Sequence, residues 1–176
     1  MSTQLDNSIA QSFMSLGLYT VAFESMVLTF KAQMHGYLTR NQDENLKTFK
    51  KDCLTANKTL RYCEPRLVSL GVLTQDEIDS LKAMRENRNV LAHEGYNQML
   101  KLTISDVQDD VILMARICKK VENWNQVIRE ANPDGSQSFY VVPSIFALYL
   151  KVAQQLAQTI LSIPASDTTS DVAHEI

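Results

Sequence analysis

The sequence predicts an all-α fold, an up-and-down bundle of about five helices. Gly (5) and Pro (4) are scarce in the 176 residues, which disfavours a turn-rich β fold. Apolar residues recur three and four apart through long stretches, the spacing of helix faces that bury one side. Two Ser/Thr-x-x-Glu/Gln signatures mark helix starts inside the chain. One domain over residues 1–163 accounts for this pattern, with a disordered tail at 164–176. A chain of this size buries about 70% of its unfolded surface without disulfide or metal staples.

Residues 1–7 are polar and read as a frayed end. A helix over 8–38 follows. Ile9, Phe13, Leu16, Thr20, Phe23, Val27, Phe30, Met34 and Tyr37 form a heptad seam with one polar member, Thr20. Gly17 weakens the helix slightly or allows a close neighbour. Glu24 lies beside the seam, either solvated or within reach of Arg85 or Arg88. His35 reads as a surface or helix-end residue. Asn41-Gln42-Asp43 makes a turn.

A second helix over 43–63 carries Leu46, Phe49, Cys53, Ala56, Leu60 and Cys63 on one stripe. Its basic side chains, Lys47, Lys50, Lys51, Lys58 and Arg61, form a solvated face or a weak RNA-facing patch. Pro65 suits the first turn of a short helix that ends at Gly71. Thr74 and Glu77 make a capping box that starts a helix over 75–93, and Gly95 is placed to end it. A loop over 94–104 carries Glu94, Tyr96 and Asn97.

Ser105 and Gln108 form a second capping box for a helix over 106–131, striped by Val107, Val111, Met114, Cys118, Val121 and Ile128. Asn132-Pro133-Asp134-Gly135-Ser136 breaks the chain. Phe139 to Val142 are extended ahead of Pro143. A last helix over 143–163 carries Ile145, Tyr149, Val152, Leu156 and Ile160.

Net charge is −3 and the pI about 5.6. That argues against a protein that coats nucleic acid, though not against an enzyme with a small basic site. Cys53, Cys63 and Cys118 are odd in number and lack metal-ligand spacing, as expected of reduced core thiols in a cytoplasmic protein. No signal-peptide pattern occurs, and no apolar run approaches the ~20 residues of a membrane span. The chain has no Gly-rich phosphate loop, paired metal-ligand motif, nucleophile elbow or helix-turn-helix surface. No metal, cofactor, membrane or DNA partner is expected.

The chemistry concentrates at the end of the 75–93 helix. Wound at 100° per residue, Ile78, Leu81, Met84, Leu91 and Ala92 share an arc with Arg85 and Arg88, and Glu86, Asn89 and His93 line its edge. Arginine is rarely buried without a partner. The arc therefore marks either a site or interface, or two arginines paired with carboxylates inside one subunit, with His93 a helix-end cation favoured by the dipole.

Arg88-Asn89-Val90-Leu91-Ala92-His93 resembles the signature of the HEPN superfamily: Arg, a polar residue, mostly apolar residues, then His, at the end of the third main helix of an all-α bundle. The run from Gly71 to Arg85 resembles the family's approach to that motif, so the likeness covers roughly residues 60–96. In one large toxin branch a Tyr follows two positions after the His; here Gly95 stands there and Tyr96 comes next.

The resemblance implies a HEPN-like bundle and metal-independent RNA cleavage by a toxin or defence protein, without a cofactor. Arg88, Asn89 and His93 would be catalytic, and Arg85, Tyr96 and Asn97 would bind substrate. Arg88 and His93 lie roughly 140° apart on a regular helix, so a homodimer that faces two motif helices across a two-fold axis is expected. A toxin role would bring an antitoxin partner. The alternative is a non-catalytic HEPN-like dimer: a regulator, a nucleotide-binding module, or a partner of a nucleotidyltransferase.

Overall fold

The computed structural model describes residues 2–56, 58–93, 102–131 and 155. Among them the chain forms five helices and no strand, an all-α helical bundle. The expected last helix, the 132–142 segment, the tail and most of the 94–104 loop lie outside the described residues.

Helix α1 spans Ser2–Arg40. Its end is a Schellman-type turn in which Asp43 N–H donates to the Leu38 carbonyl at 3.0 Å and Gln42 N–H to the Thr39 carbonyl at 3.3 Å. Gln42 sits there at φ +48°, a left-handed position occupied by a residue with a Cβ. Helix α5, Ile104–Ala131, runs in the same direction as α1. Tyr19 meets Asp110, and Tyr37 stacks at 5.0 Å on Trp124. Helix α4, Gln75–His93, runs opposite to α5 and crosses α1 near Tyr19 and Glu24. Lys120 holds Glu77, in its first turn, at 2.6 Å.

The expected seam of α1 is only part of its buried face. Phe23, Phe30 and Met34 are buried, but Phe13 is 54% exposed. The row against α5 instead includes Ser12, Ser15, Tyr19, Ala22, Met26 and Thr29, all buried. Four of the six are small, so α5 can approach closely. Their hydroxyls cost little to bury where they donate one turn back, from Ser15 to the Gln11 carbonyl at 2.8 Å and from Thr29 to that of Ser25 at 3.0 Å. Val107, Val111, Met114, Cys118 and Val121 are buried along α5, the stripe that the sequence pattern predicts.

By length and composition, Ile9–Arg40 is apolar enough to cross a membrane, a correction to the expectation that no such run exists. In the bundle its Met26, Phe30, Met34 and Leu38 are buried among the other helices.

The expected continuous helix over 43–63 is divided. Helix α2, Leu46–Phe49, widens into a π-helical stretch, Lys50–Thr55. The turn from Ala56 N–H to the Lys51 carbonyl at 3.1 Å marks the wider ring. Helix α3 then starts afresh as Thr59–Ser69. Pro65 lies inside α3 rather than at its start, where burial of Leu60, Tyr62, Cys63 and Leu67 outweighs the missing proline N–H. Gly71, at φ +68°, closes α3 as expected, with Val72 N–H donating to the Leu67 carbonyl at 2.9 Å.

The Thr74–Glu77 box forms as predicted: Thr74 N–H donates to Glu77 Oε2 at 3.0 Å, and Glu77 N–H to Thr74 Oγ1 at 3.3 Å. The second box is corrected. It is Thr103 and Asp106, with Thr103 N–H on Asp106 Oδ2 at 2.7 Å, so α5 begins two residues earlier than expected. Asp suits the reciprocal role as well as Glu, because its carboxylate gains from the helix dipole there.

Candidate functional site

A pocket of about 250 Å³ opens where α1, the start of α3 and α4 meet. Lys58, Arg61, Arg85 and Arg88 are its cations, and Glu24, Thr59 and Asn89 its other polar groups. Phe23, Val27 and Leu60 form the apolar wall. Burial of Ile78, Leu81 and Met84 fixes the roll of α4. The same periodicity then carries Arg85 and Arg88 to the rim of the core, each 37% exposed along its side chain.

Tyr19 sets the height of α4. Its hydroxyl lies 3.0 Å from the Met84 carbonyl and 3.1 Å from Asp110 Oδ2, so one phenol ties α1 to α4 and α5 one turn before Arg88. Burial, followed by the Asp110 charge, holds that phenol well above its ordinary range, so it remains a donor.

Both arginines have carboxylate partners in the same chain. Arg88 Nη2 lies 2.6 Å from Glu24 Oε1, the second of the two settings expected for Glu24. Arg88 Nη1 also reaches Asn89 Oδ1 at 3.4 Å, and its guanidinium carbon stands 5.9 Å from the centre of the Phe23 ring. Arg85 Nη1 is 3.5 Å from Glu64 Oε1, close enough for ion pairing but not aligned as a hydrogen bond. Glu64 is buried, and desolvation raises its carboxyl pKa despite the opposing pull of Arg85.

Of the residues expected in the site, Arg85, Arg88 and Asn89 come together at this pocket. His93 is the last residue of α4, with its side chain outside the described set, and Tyr96 and Asn97 lie outside it altogether. Lys58 and Arg61, assigned by the sequence to a solvated or RNA-facing patch, join the same pocket. Thr59 and Glu64 are additions that periodicity did not mark. The one sequence signal for Thr59 is that Ser and Thr favour helix starts, and it is masked when 43–63 is read as one helix.

The three cysteines are buried and reduced. Contact with Cys53, then burial, pushes the Cys63 thiol up, and burial pushes that of Cys118 up to about 12. Neither is an activated nucleophile.

Comparison with protein-family models, curated proteins and solved structures finds no match for this chain.

Proposed function

We propose that this chain is a HEPN-type, metal-independent endoribonuclease whose Arg88 and Asn89 grip the scissile phosphate at the cationic pocket. The observation that carries the reading is the convergence of Arg88, Asn89 and Arg85, all taken from the motif helix, on one pocket with Lys58 and Arg61. An arginine fork matches phosphate oxygens and stabilises the added negative charge of a five-coordinate phosphorus.

In the proposed step a ribose 2′-oxygen bonds to phosphorus and the P–O5′ bond breaks. His93, neutral, takes the 2′-OH proton; a protonated imidazole returns one to the leaving 5′-oxygen. The products are a 2′,3′-cyclic phosphate and a 5′-hydroxyl, and DNA is spared because it lacks the nucleophile. Arg88 and His93 diverge by roughly 140° on one helix, so two copies are proposed to complete the cleft, with Tyr96 and Asn97 near the substrate. A cytoplasmic toxin or defence role, held by an antitoxin, belongs to this reading.

The pairing of Arg88 with Glu24 and of Arg85 with Glu64 favours a second reading. In it the pocket binds a nucleotide without cleaving it, and the dimer serves as a regulator or partners a nucleotidyltransferase. Incubation of purified protein with RNA in EDTA separates the two. Cleavage to cyclic-phosphate ends, abolished in His93→Ala, supports the nuclease. Inactivity of a protein that still dimerises and binds nucleotide supports the second reading.

A further inference from the structure

We propose that the N-terminus of α3 is a second phosphate seat in this pocket, beside the Arg88–Asn89 position proposed for the scissile diester and built for the dianionic phosphomonoester at an RNA end. The seat belongs to the same pocket as the proposed cleavage site. The RNA end as its carrier rests on that reading, whereas the phosphate seat does not.

Helix α3 has 11 residues, and Lys58 at its N-cap supplies no side-chain cap. Its first helical hydrogen bond runs from Tyr62 N–H to the Lys58 carbonyl at 3.0 Å. The amides of Thr59, Leu60 and Arg61 precede it and have no helical acceptor. Such amides, with the positive end of the helix dipole, favour an anion.

A second observation points the same way. Thr59 lines the pocket at 1% exposure, and among the described residues its Oγ1 has no hydrogen-bond partner. A buried, unpaired hydroxyl costs about 1–3 kcal/mol. A phosphate oxygen at the helix start would satisfy it.

Charge and shape select the class of ligand. Among the described residues, Arg88 pairs with Glu24 and Arg85 with Glu64, while Lys58 and Arg61 have no ion pair, so the pocket carries two positive charges in excess there. A phosphomonoester brings about −1.5 to −2 at pH 7, whereas a diester brings one negative charge. At about 250 Å³ the pocket falls below the ~300 Å³ at which sites for larger organic ligands begin. An end-on phosphate reaches a hydroxyl that is 1% exposed, while a diester would have to carry strand in both directions past the rim.

The test uses the full-length His93→Ala protein, so that the strand stays intact. Binding of short oligoribonucleotides carrying a 5′-phosphate, a 3′-phosphate or hydroxyls at both ends is followed by fluorescence anisotropy, with inorganic phosphate and AMP as competitors. The expected result is binding at least about tenfold tighter for one phosphorylated end, the worth of one or two hydrogen bonds to a charged group. Thr59→Val abolishes that preference. Thr59→Ser retains the preference, which separates loss of the hydroxyl from loss of fold.

Equal binding of all three strands, or a preference that survives Thr59→Val, overturns the seat. Inorganic phosphate or AMP binding as tightly as the phosphorylated strand assigns the seat to that smaller ligand and overturns the RNA end. An end preference in a chain whose wild type never cleaves RNA upholds the seat while the nuclease reading fails; cleavage without end preference does the reverse.

Discussion

Helix α1 serves two neighbours with opposite chemistry. Along α5 its Ser12, Ser15, Tyr19, Ala22, Met26 and Thr29 make a buried row of small or neutral side chains. Roughly a third of a turn around the same helix, Phe23, Glu24 and Val27 face a pocket ringed by four cations. The first contact is held by shape, where even a methylene matters. The second is held by ion pairs that water can replace. Loss of a side chain should therefore be felt as stability on the α5 side and as ligand affinity on the pocket side.

The largest expected effect is on the packed side. Met26 is 0% exposed, and Met26→Ala should cost about 2–5 kcal/mol of unfolding free energy, measured by urea denaturation. A loss under ~1 kcal/mol would show that the α1–α5 contact is loose and blur the contrast.

On the pocket side, Arg88→Ala should weaken phosphate or RNA binding by about ten- to a hundredfold, while changing stability by less than ~1 kcal/mol, since its Glu24 partner is exposed. Titration calorimetry beside thermal melting reads both. Arg88→Lys should recover little affinity, because an ammonium cannot form the fork. A large stability loss with unchanged affinity would make Arg88 a structural cation.

Glu64 couples the two regimes. Burial raises its folded pKa above the unfolded value, so the folded state holds the proton more firmly. Stability from this group is therefore present below the unfolded carboxyl pKa and falls as pH rises through the folded value. Glu64→Gln should flatten that fall and tighten anion binding by removing a negative charge beside Arg85. The check is the melting temperature of both proteins across mildly acid to neutral pH. Parallel profiles would count against an ionised, buried Glu64.

The smallest effect belongs to the exit of α1. Gln42→Gly removes a Cβ from a left-handed position, and the chain entropy of glycine offsets part of the gain, so about 0.5 kcal/mol of stabilisation is expected. Denaturation midpoints resolve it, and any loss would mean that the Gln42 side chain contributes contacts that outweigh the relief of strain.

The legible parts of the fold are those set by neighbours a few residues apart. Helix α4 was bounded by its capping box, and the α5 stripe by its spacing; both stand in the structure. The α1 seam was only part of the buried face, because large apolar residues mark a face more loudly than Ser12, Ser15 and Ala22, although close helix approach needs the small ones. The break between α2 and α3 left only the weak mark of Thr59, since Leu46, Phe49, Cys53, Leu60 and Cys63 keep helical phase across it. Glu24 was placed near the arginines without a choice between them. That choice depends on how α4 crosses α1, which periodicity does not encode.

The amino-acid order alone set an all-helical chain, the roll of α4 and two arginines at the edge of its buried stripe. Those features follow from capping and from 3.6-residue periodicity, which act over a turn or two. Tertiary structure decided that Arg88 meets Glu24, 64 residues away, and that α3 restarts at Thr59, with Thr59, Leu60 and Arg61 lining the same pocket. Pairing over such a distance is fixed by which faces bury together, and no stretch of chain specifies that by itself.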